Sequence, residues 1–282
     1  MDTHVFLAVL AAAACHAGWN ALLKLKVEPV VAISLISVAC GLMVVPLLPF
    51  SGLPRAVAWP YIVASLALHF VYYIALAEAY RTGDLGQVYP IARGTAPLLT
   101  ALGATIFSTE QLAPTAWGGI AVLASGIILL SVAGGRGLDG LDTRSVAFAL
   151  LTAVSISAYT LIDGIGARLA GSPAPYIVWL FLLDGVMMLA FGLWHRRPKL
   201  IDGFKESWPL VLAGGLMSVA AYAIAIWAMT IAPIPLVAAV RETSVLFAAL
   251  ISVLWLREPV RLVRIAAVVL AFIGVVLLRV GP

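Results

Sequence analysis

The chain has 282 residues, 63% of them hydrophobic and 11% charged, with a formal net charge of +4. A soluble domain carries about 25% charged residues, so this composition excludes an ordinary soluble enzyme and points to a protein embedded in a bilayer. The basic residues sit in short loops and do not describe a nucleic-acid surface, and the two cysteines, Cys15 and Cys40, lie inside apolar segments without C-x-x-C spacing.

Windows of about 20 apolar residues predict ten membrane-spanning helices near 4–23, 29–49, 58–79, 86–107, 113–133, 145–166, 174–194, 208–229, 235–256 and 262–280. The alternating ten-residue segments of a β-barrel are absent, so the expected class is an all-α integral membrane protein. The longest expected loop, His195 to Ser207, leaves no room for a soluble domain. Leu10 to Cys15 reads LAAAAC, like a lipoprotein processing site, but MDTH before it has no positive charge and the apolar run continues to Leu23. The segment therefore reads as the first span rather than a cleaved signal.

In that span His16, Asn20 and Lys24 follow i, i+4, i+8 and share one face, with Trp19 beside them. His16 either relays protons or stays neutral and bonds across helices. The third span places His69, Tyr72, Tyr73 and Tyr80 on one face, suited to sandwiching a substrate, to cation–π contact or to packing. Glu78 there reads as a surface partner of Arg81, three residues on.

The fourth span, Gly86 to Phe107, carries Arg93 between Pro90 and Pro97, with Tyr89 one turn before it. An arginine at the centre of a spanning helix costs roughly 2.5–3.5 kcal/mol on insertion scales, so a function or a partner must offset it. Arg93 lies about 5 Å from its helix midpoint, at 1.5 Å per residue.

Glu110 opens the fifth span, where a carboxylate favours the helix dipole, and Gly118, Gly119 and Gly126 suit close helix packing. The sixth span sets Ser155, Tyr159 and Asp163 on one face; the seventh holds Asp184 alone at its middle, either a titrating coupling or substrate group or a counter-ion for an arginine. Tyr222 and Trp227 are weaker aromatic candidates in the eighth. The ninth carries Arg241, about 7 Å from its midpoint, with Glu242 turned about 100° away round the helix. Glu258 opens the tenth.

The chain also repeats itself. At a constant offset, 241 − 93 = 148, Arg93 meets Arg241, Thr95 meets Thr243, Glu110 meets Glu258 and Gly126 meets Gly274. Two halves of five spans follow, and because five is odd the second enters the membrane inverted, the design of many secondary transporters. Arg93 and Arg241 would then face a shared cavity from opposite leaflets, each holding an anionic group, or else lock helices together on buried acids. Gly94 meets Glu242, so the two sites would not be equivalent. The loops after odd-numbered spans hold twelve Lys and Arg against Arg55, Arg168 and Arg279 opposite. That bias puts both termini outside the cytoplasmic membrane.

Ten spans in inverted halves, with TEQL (109–112), REPV (257–260), Gly126 and Gly274, resemble the drug/metabolite transporter superfamily, specifically an EamA-type permease with repeats at 1–134 and 135–282. HAGWNALLK (16–24) and YPIARGTAP (89–97) resemble a subgroup associated with phosphonate-utilisation genes. The resemblance implies carriage of small polar metabolites through a cavity built by helices 1–4 and 6–9, with helices 5 and 10 peripheral.

The expected function is a secondary transporter of an organic anion or amino-acid-like zwitterion, working by alternating access in the inner membrane, with proton coupling or facilitated exchange both open. Arg93, Arg241, Asp184, His16, Trp19, Asn20, His69, Tyr73, Tyr89, Tyr159 and Glu242 are the expected substrate-binding residues. A flippase for a polar-headed lipid is the alternative, and an intramembrane enzyme using His16, His69 and Asp184 a more distant one. Nucleotide loops, nucleophile elbows and metal-ligand clusters are absent, so no cofactor, metal or ATP drive is expected. The expected partners are the small-molecule substrate and the bilayer, with the chain a monomer or homodimer.

Overall fold

The computed structural model describes residues 1–22, 28–83, 85–108, 110–134, 142–254 and 262–280. They are almost wholly helical, with no strand among them. In chain order the helices are α1 (Thr3–Leu22), α2 (Pro29–Val44), α3 (Leu48–Ser51), α4 (Trp59–Thr82), α5 (Leu85–Phe107), α6 (Pro114–Gly134), α7 (Thr143–Leu169), α8 (Pro173–Ile231), α9 (Ile234–Arg241), α10 (Ser244–Leu254) and α11 (Leu262–Val280). Among the described residues six helical stretches are long and apolar enough to cross a membrane: Pro29–Ser51, Ala56–Thr82, Thr143–Leu169, Pro173–Ile231, Ile234–Ile251 and Leu262–Val280.

Two boundaries depart from the sequence expectation. His195 to Ser207 is not an open loop: it is helical apart from Arg196, whose φ of −143° and ψ of 31° break α8 into two limbs. Pro198 follows two residues later, a residue that suits the first turn of a new helix because it needs no N–H partner there. The limbs fold back on one another, since a Cβ on Gly192 would lie 3.1 Å from Leu200 across the kink. Both limbs pack on α2. A Cβ on Gly41 would lie 3.1 Å from the Gly185 Cα, and one on Gly215 would meet the Ala39 Cβ at 2.7 Å.

At the kink, Lys199 Nζ donates to Glu28 Oε2 at 2.7 Å and Arg196 Nε to Oε1 at 3.4 Å. The Lys199 ammonium, with Arg196 behind it, holds the Glu28 carboxyl below the usual carboxylate range. A depressed carboxyl stabilises the fold above its ordinary value, so this clamp weakens as pH falls through the depressed one.

The second departure is the ninth span, which is two helices. α9 ends at Arg241, Glu242 and Thr243 form a tight turn, and α10 starts at Ser244. In the turn Thr243 N bonds Val240 O at 3.1 Å and Val245 N bonds Glu242 O at 3.1 Å, both i→i−3. α5, with Pro90 and Pro97 inside it, stays one helix. The break therefore follows the acidic residue that lacks a counterpart in the first half rather than the prolines.

The glycines matched by the repeat meet at one interface. A Cβ on Gly126 would lie 2.5 Å from Ala271 N, and one on Gly274 would lie 2.5 Å from Leu123 N, so α6 and α11 touch backbone to backbone. Gly119 faces Leu278 closely, as expected, whereas Gly118 faces open space and has no part in the packing. The clashing atoms are backbone and cannot swing aside, so Gly126→Ala is expected to destabilise by roughly 1–3 kcal/mol. Thermal melting in detergent checks this, and Gly118→Ala should melt like the parent.

Candidate functional site

α7 starts from a true N-cap, Ser145 N donating to Asp142 Oδ2 at 3.2 Å, which sets the rotation of Tyr159, Thr160 and Asp163 about four to six turns later. Of these Tyr159 lines a cavity of about 70 Å³, with α1, α2, α4, α8 and α9 around it. Its lining includes His16 and Trp19 from α1, Ser37 from α2, His69, Tyr72 and Tyr73 from α4 and Tyr159 from α7. The two limbs of α8 add Asp184 and Tyr222, and α9 adds Arg241.

Arg241 stands at the end of α9, 3% exposed. Its Nη2 donates to Thr160 Oγ1 at 3.4 Å and lies 3.8 Å from Glu242 Oε1, while its Cζ sits 5.3 Å from the Tyr222 ring centroid. Arg93 approaches the other oxygen of the same carboxylate, Nε to Glu242 Oε2 at 2.8 Å, donates from Nη2 to Ser244 Oγ at 3.1 Å and lies against Tyr89 at 5.7 Å. Its Nε–H is not aimed at that oxygen, since neither atom has a hydrogen-bond partner among the described residues. The contact is an ion pair rather than an aligned bond.

The two arginines thus share one acid and do not occupy separate sites in opposite leaflets. Two guanidiniums and one carboxylate leave the trio one positive charge in excess, and of the three only Arg241 lines the cavity.

Asp184 is 6% exposed. Tyr73 donates its hydroxyl to Asp184 Oδ2 at 3.0 Å and receives one from Ser37 at 3.4 Å, while Oδ1 has no partner among the described residues. No described arginine lies within ion-pair distance, so the counter-ion reading does not hold there. His69 stacks on Tyr159 at 4.1 Å, and its Nδ1 lies 3.1 Å from Ser65 Oγ and 3.0 Å from the Ser65 carbonyl. His16 accepts from Trp19 Nε1 at its Nδ1, 3.2 Å away. An accepting Nδ1 belongs to a neutral ring with its proton on Nε2.

Of the expected residues, then, Arg241, Asp184, His16, Trp19, His69, Tyr73 and Tyr159 meet at one cavity. Asn20 turns back to the His16 carbonyl at 2.9 Å, and Arg93, Tyr89 and Glu242 stand behind the wall. Lys24 and Glu258 lie outside the described residues. Tyr222 reaches the cavity and Trp227 does not. α5 supplies no lining residue, in contrast to the expected role of the fourth span.

Sequence reasoning passed over Thr160, Ser244, Ser37 and Ser218, because a small hydroxyl in an apolar span usually bonds its own helix, as Ser155 does to Leu151 O at 2.9 Å. His16, His69 and Asp184 do share the cavity, but the serine beside His69 is fully buried and does not line it.

Glu110 is not a first-turn residue of its own helix. Its Oε2 accepts from Ile234 N at 3.0 Å, capping α9, and its Oε1 pairs with Arg168 Nη2 at 2.7 Å. Arg168 also donates to the carbonyls of Met229 and Ala232, at 2.8 and 3.0 Å. An acid from the first half thus holds the helix whose other end is Arg241. Glu110→Gln keeps an acceptor for Ile234 but loses the ion pair, with an expected cost of about 1–2 kcal/mol read as a lower Tm. Glu78 pairs with Arg81 at 2.8 Å on the surface, as its spacing predicts.

Residues 143–280 match the model of the EamA-like transporter family. That stretch, just under half of the chain, is similar to the family. The matched stretch begins with α7 and ends with α11, so it contains Tyr159, Asp163, Asp184, Tyr222, Arg241 and Glu242. No curated protein matches the sequence. A solved protein crystal structure aligns with the whole of this chain over the whole of its own length, at a TM-score of 0.81 and 18% identity. At that identity the likeness shows the fold alone. The chain is a membrane protein with several apolar helices, and its C-terminal part is similar to a family of transporters.

Proposed function

We propose that this protein is a secondary transporter for a small zwitterion or organic anion, crossing the inner membrane ten times as two inverted halves with both termini outside. One observation carries the reading: Arg241 and Asp184, of opposite charge, line the same cavity, and Arg241 Nε and Asp184 Oδ1 are both buried without a hydrogen-bond partner among the described residues. Buried polar atoms are nearly always paired, so two orphans of opposite character in one cavity favour a ligand with an anionic end for the guanidinium and a cationic end for the carboxylate. The excess positive charge of the arginine trio supports the anionic end, and the ring faces of Tyr72, Tyr159 and Tyr222 suit the body of the molecule.

The cavity's size supports alternating access. About 70 Å³ is the share of roughly two water molecules, against about 300–1,000 Å³ for pockets that hold drug-sized ligands. Cargo therefore enters by parting the walls, and α9, held at one end by Glu110 and ending in Arg241, links such a movement to the site.

Competition for uptake in proteoliposomes tests the reading, with labelled amino acids and labelled monocarboxylates as separate panels. Asp184→Asn is expected to lose the amino acids and retain the monocarboxylates. Equal amino-acid uptake by parent and variant would remove the zwitterion reading.

A further inference from the structure

Asp163 is a second buried carboxylate in this wall, and binding of cargo by Arg241 and Asp184 does not use it. It is fully buried, and no basic side chain lies within ion-pair distance of it among the described residues. Tyr176 donates to its Oδ1 at 2.8 Å, and Tyr222 makes a short hydrogen bond to its Oδ2. From α4, His69 and the Ser65 hydroxyl face it; Tyr159 is its neighbour on α7, and Asp184 is an acid close enough to feel its charge. Tyr222 matters most, because its ring also covers Arg241 and lines the cavity. Tyr222 thus joins an isolated acid, through its hydroxyl, to the anion-binding guanidinium that lies over its ring.

An ionised carboxylate only accepts hydrogen bonds, so with Asp163 charged the Tyr222 proton is committed to Oδ2. A proton arriving from cavity water on Oδ2 makes that oxygen a donor. Tyr222 then accepts from Asp163, and its own hydroxyl proton turns to the cavity beside Arg241. Tyr176 keeps its acceptor on Oδ1 throughout. Each proton taken up adds a donor and removes a negative charge where the anion binds.

We infer that Asp163 is a proton-binding residue that couples to cargo through Tyr222, so that a proton and the anionic end of the cargo bind together and the transporter works as a proton symporter. The direction is set by linkage: what strengthens anion binding on protonation must strengthen proton binding when the anion is present. The coupling to cargo rests on Arg241 being the anion site; the protonation of Asp163 does not.

Two measurements separate those statements. Infrared difference spectra of the parent protein against pH, without ligand, should show a protonated carboxylic C=O band that disappears in Asp163→Asn and survives in Asp184→Asn. Tyr222→Phe removes a donor to the carboxylate, so the midpoint of the band should move to higher pH. A band unchanged in Asp163→Asn, or a midpoint unmoved in Tyr222→Phe, overturns the inference.

Methanesulfonate, which stays anionic across the pH range, is the binding probe. Its affinity for the parent should rise about tenfold on acidification, within the usual range of coupling between sites. In Asp163→Asn the amide NH₂ can stand in for the protonated oxygen, and affinity should be high at every pH. In Tyr222→Phe it should be low at every pH. Failure of methanesulfonate to bind the parent at any pH would sink the Arg241 anion site and leave the infrared result to decide Asp163; binding with the parent's pH dependence in Asp163→Asn would overturn the coupling.

Discussion

Arg241→Ala is expected to remove uptake of every anionic cargo while the protein still folds. Truncating one partner of a buried hydrogen-bonded charge pair costs about 2–5 kcal/mol, or roughly 30- to 4,000-fold in affinity. The fold survives because Glu242 keeps its 2.8 Å contact with Arg93, and the cluster becomes neutral rather than bare. Arg241→Lys should recover little, since a compact ammonium does not reproduce the planar guanidinium that lies over the Tyr222 ring. Arg93→Ala provides the contrast. Arg93 does not line the cavity, so its loss should lower the melting temperature more than it lowers uptake. Full uptake by both alanine variants would show that neither arginine holds cargo.

Glu242→Gln is expected to be the most destabilising single substitution in the site. Glu242 is 1% exposed, and both guanidiniums in contact with it are nearly as buried. Breaking a buried pair by removing one member costs about 3–5 kcal/mol, because the remaining charge is left uncompensated in a medium that cannot hydrate it. Here two like charges remain. The measurable results are poor yield and a melting temperature far below the parent's. Pairing Glu242→Gln with Arg93→Met should restore much of the loss, since removing both partners together is far less costly than removing one. If Glu242→Gln melts with the parent, the arginines do not share this carboxylate.

These two residues also show where the sequence was legible. Apolar windows and a deficit of charge pointed to an all-helical membrane protein, because a bilayer admits a spanning segment only if it is long, apolar and internally hydrogen-bonded. The repeat singled out Gly126 and Gly274, and their backbone contacts with α11 and α6 followed. Asp184, His69, Tyr73 and Arg241 stood out because an ionisable or polar ring inside a membrane segment is expensive enough to need a reason. Other features left no such mark. Nothing in the order of residues said that Arg93 and Arg241 would meet on Glu242, or that Glu110 would cap α9 rather than its own helix.

What the sequence determined by itself is therefore the solvent this chain folds in, its helical class and its short list of costly residues. Those follow from composition and period, which are local properties of the chain. Only the tertiary structure decided which arginine faces the cavity, that the ninth span breaks at Glu242, and that Asp163 reaches Arg241 through Tyr222. Each depends on the rotation and depth of helices packed from distant parts of the chain, and an error of one residue in a helix turns a side chain by about 100°.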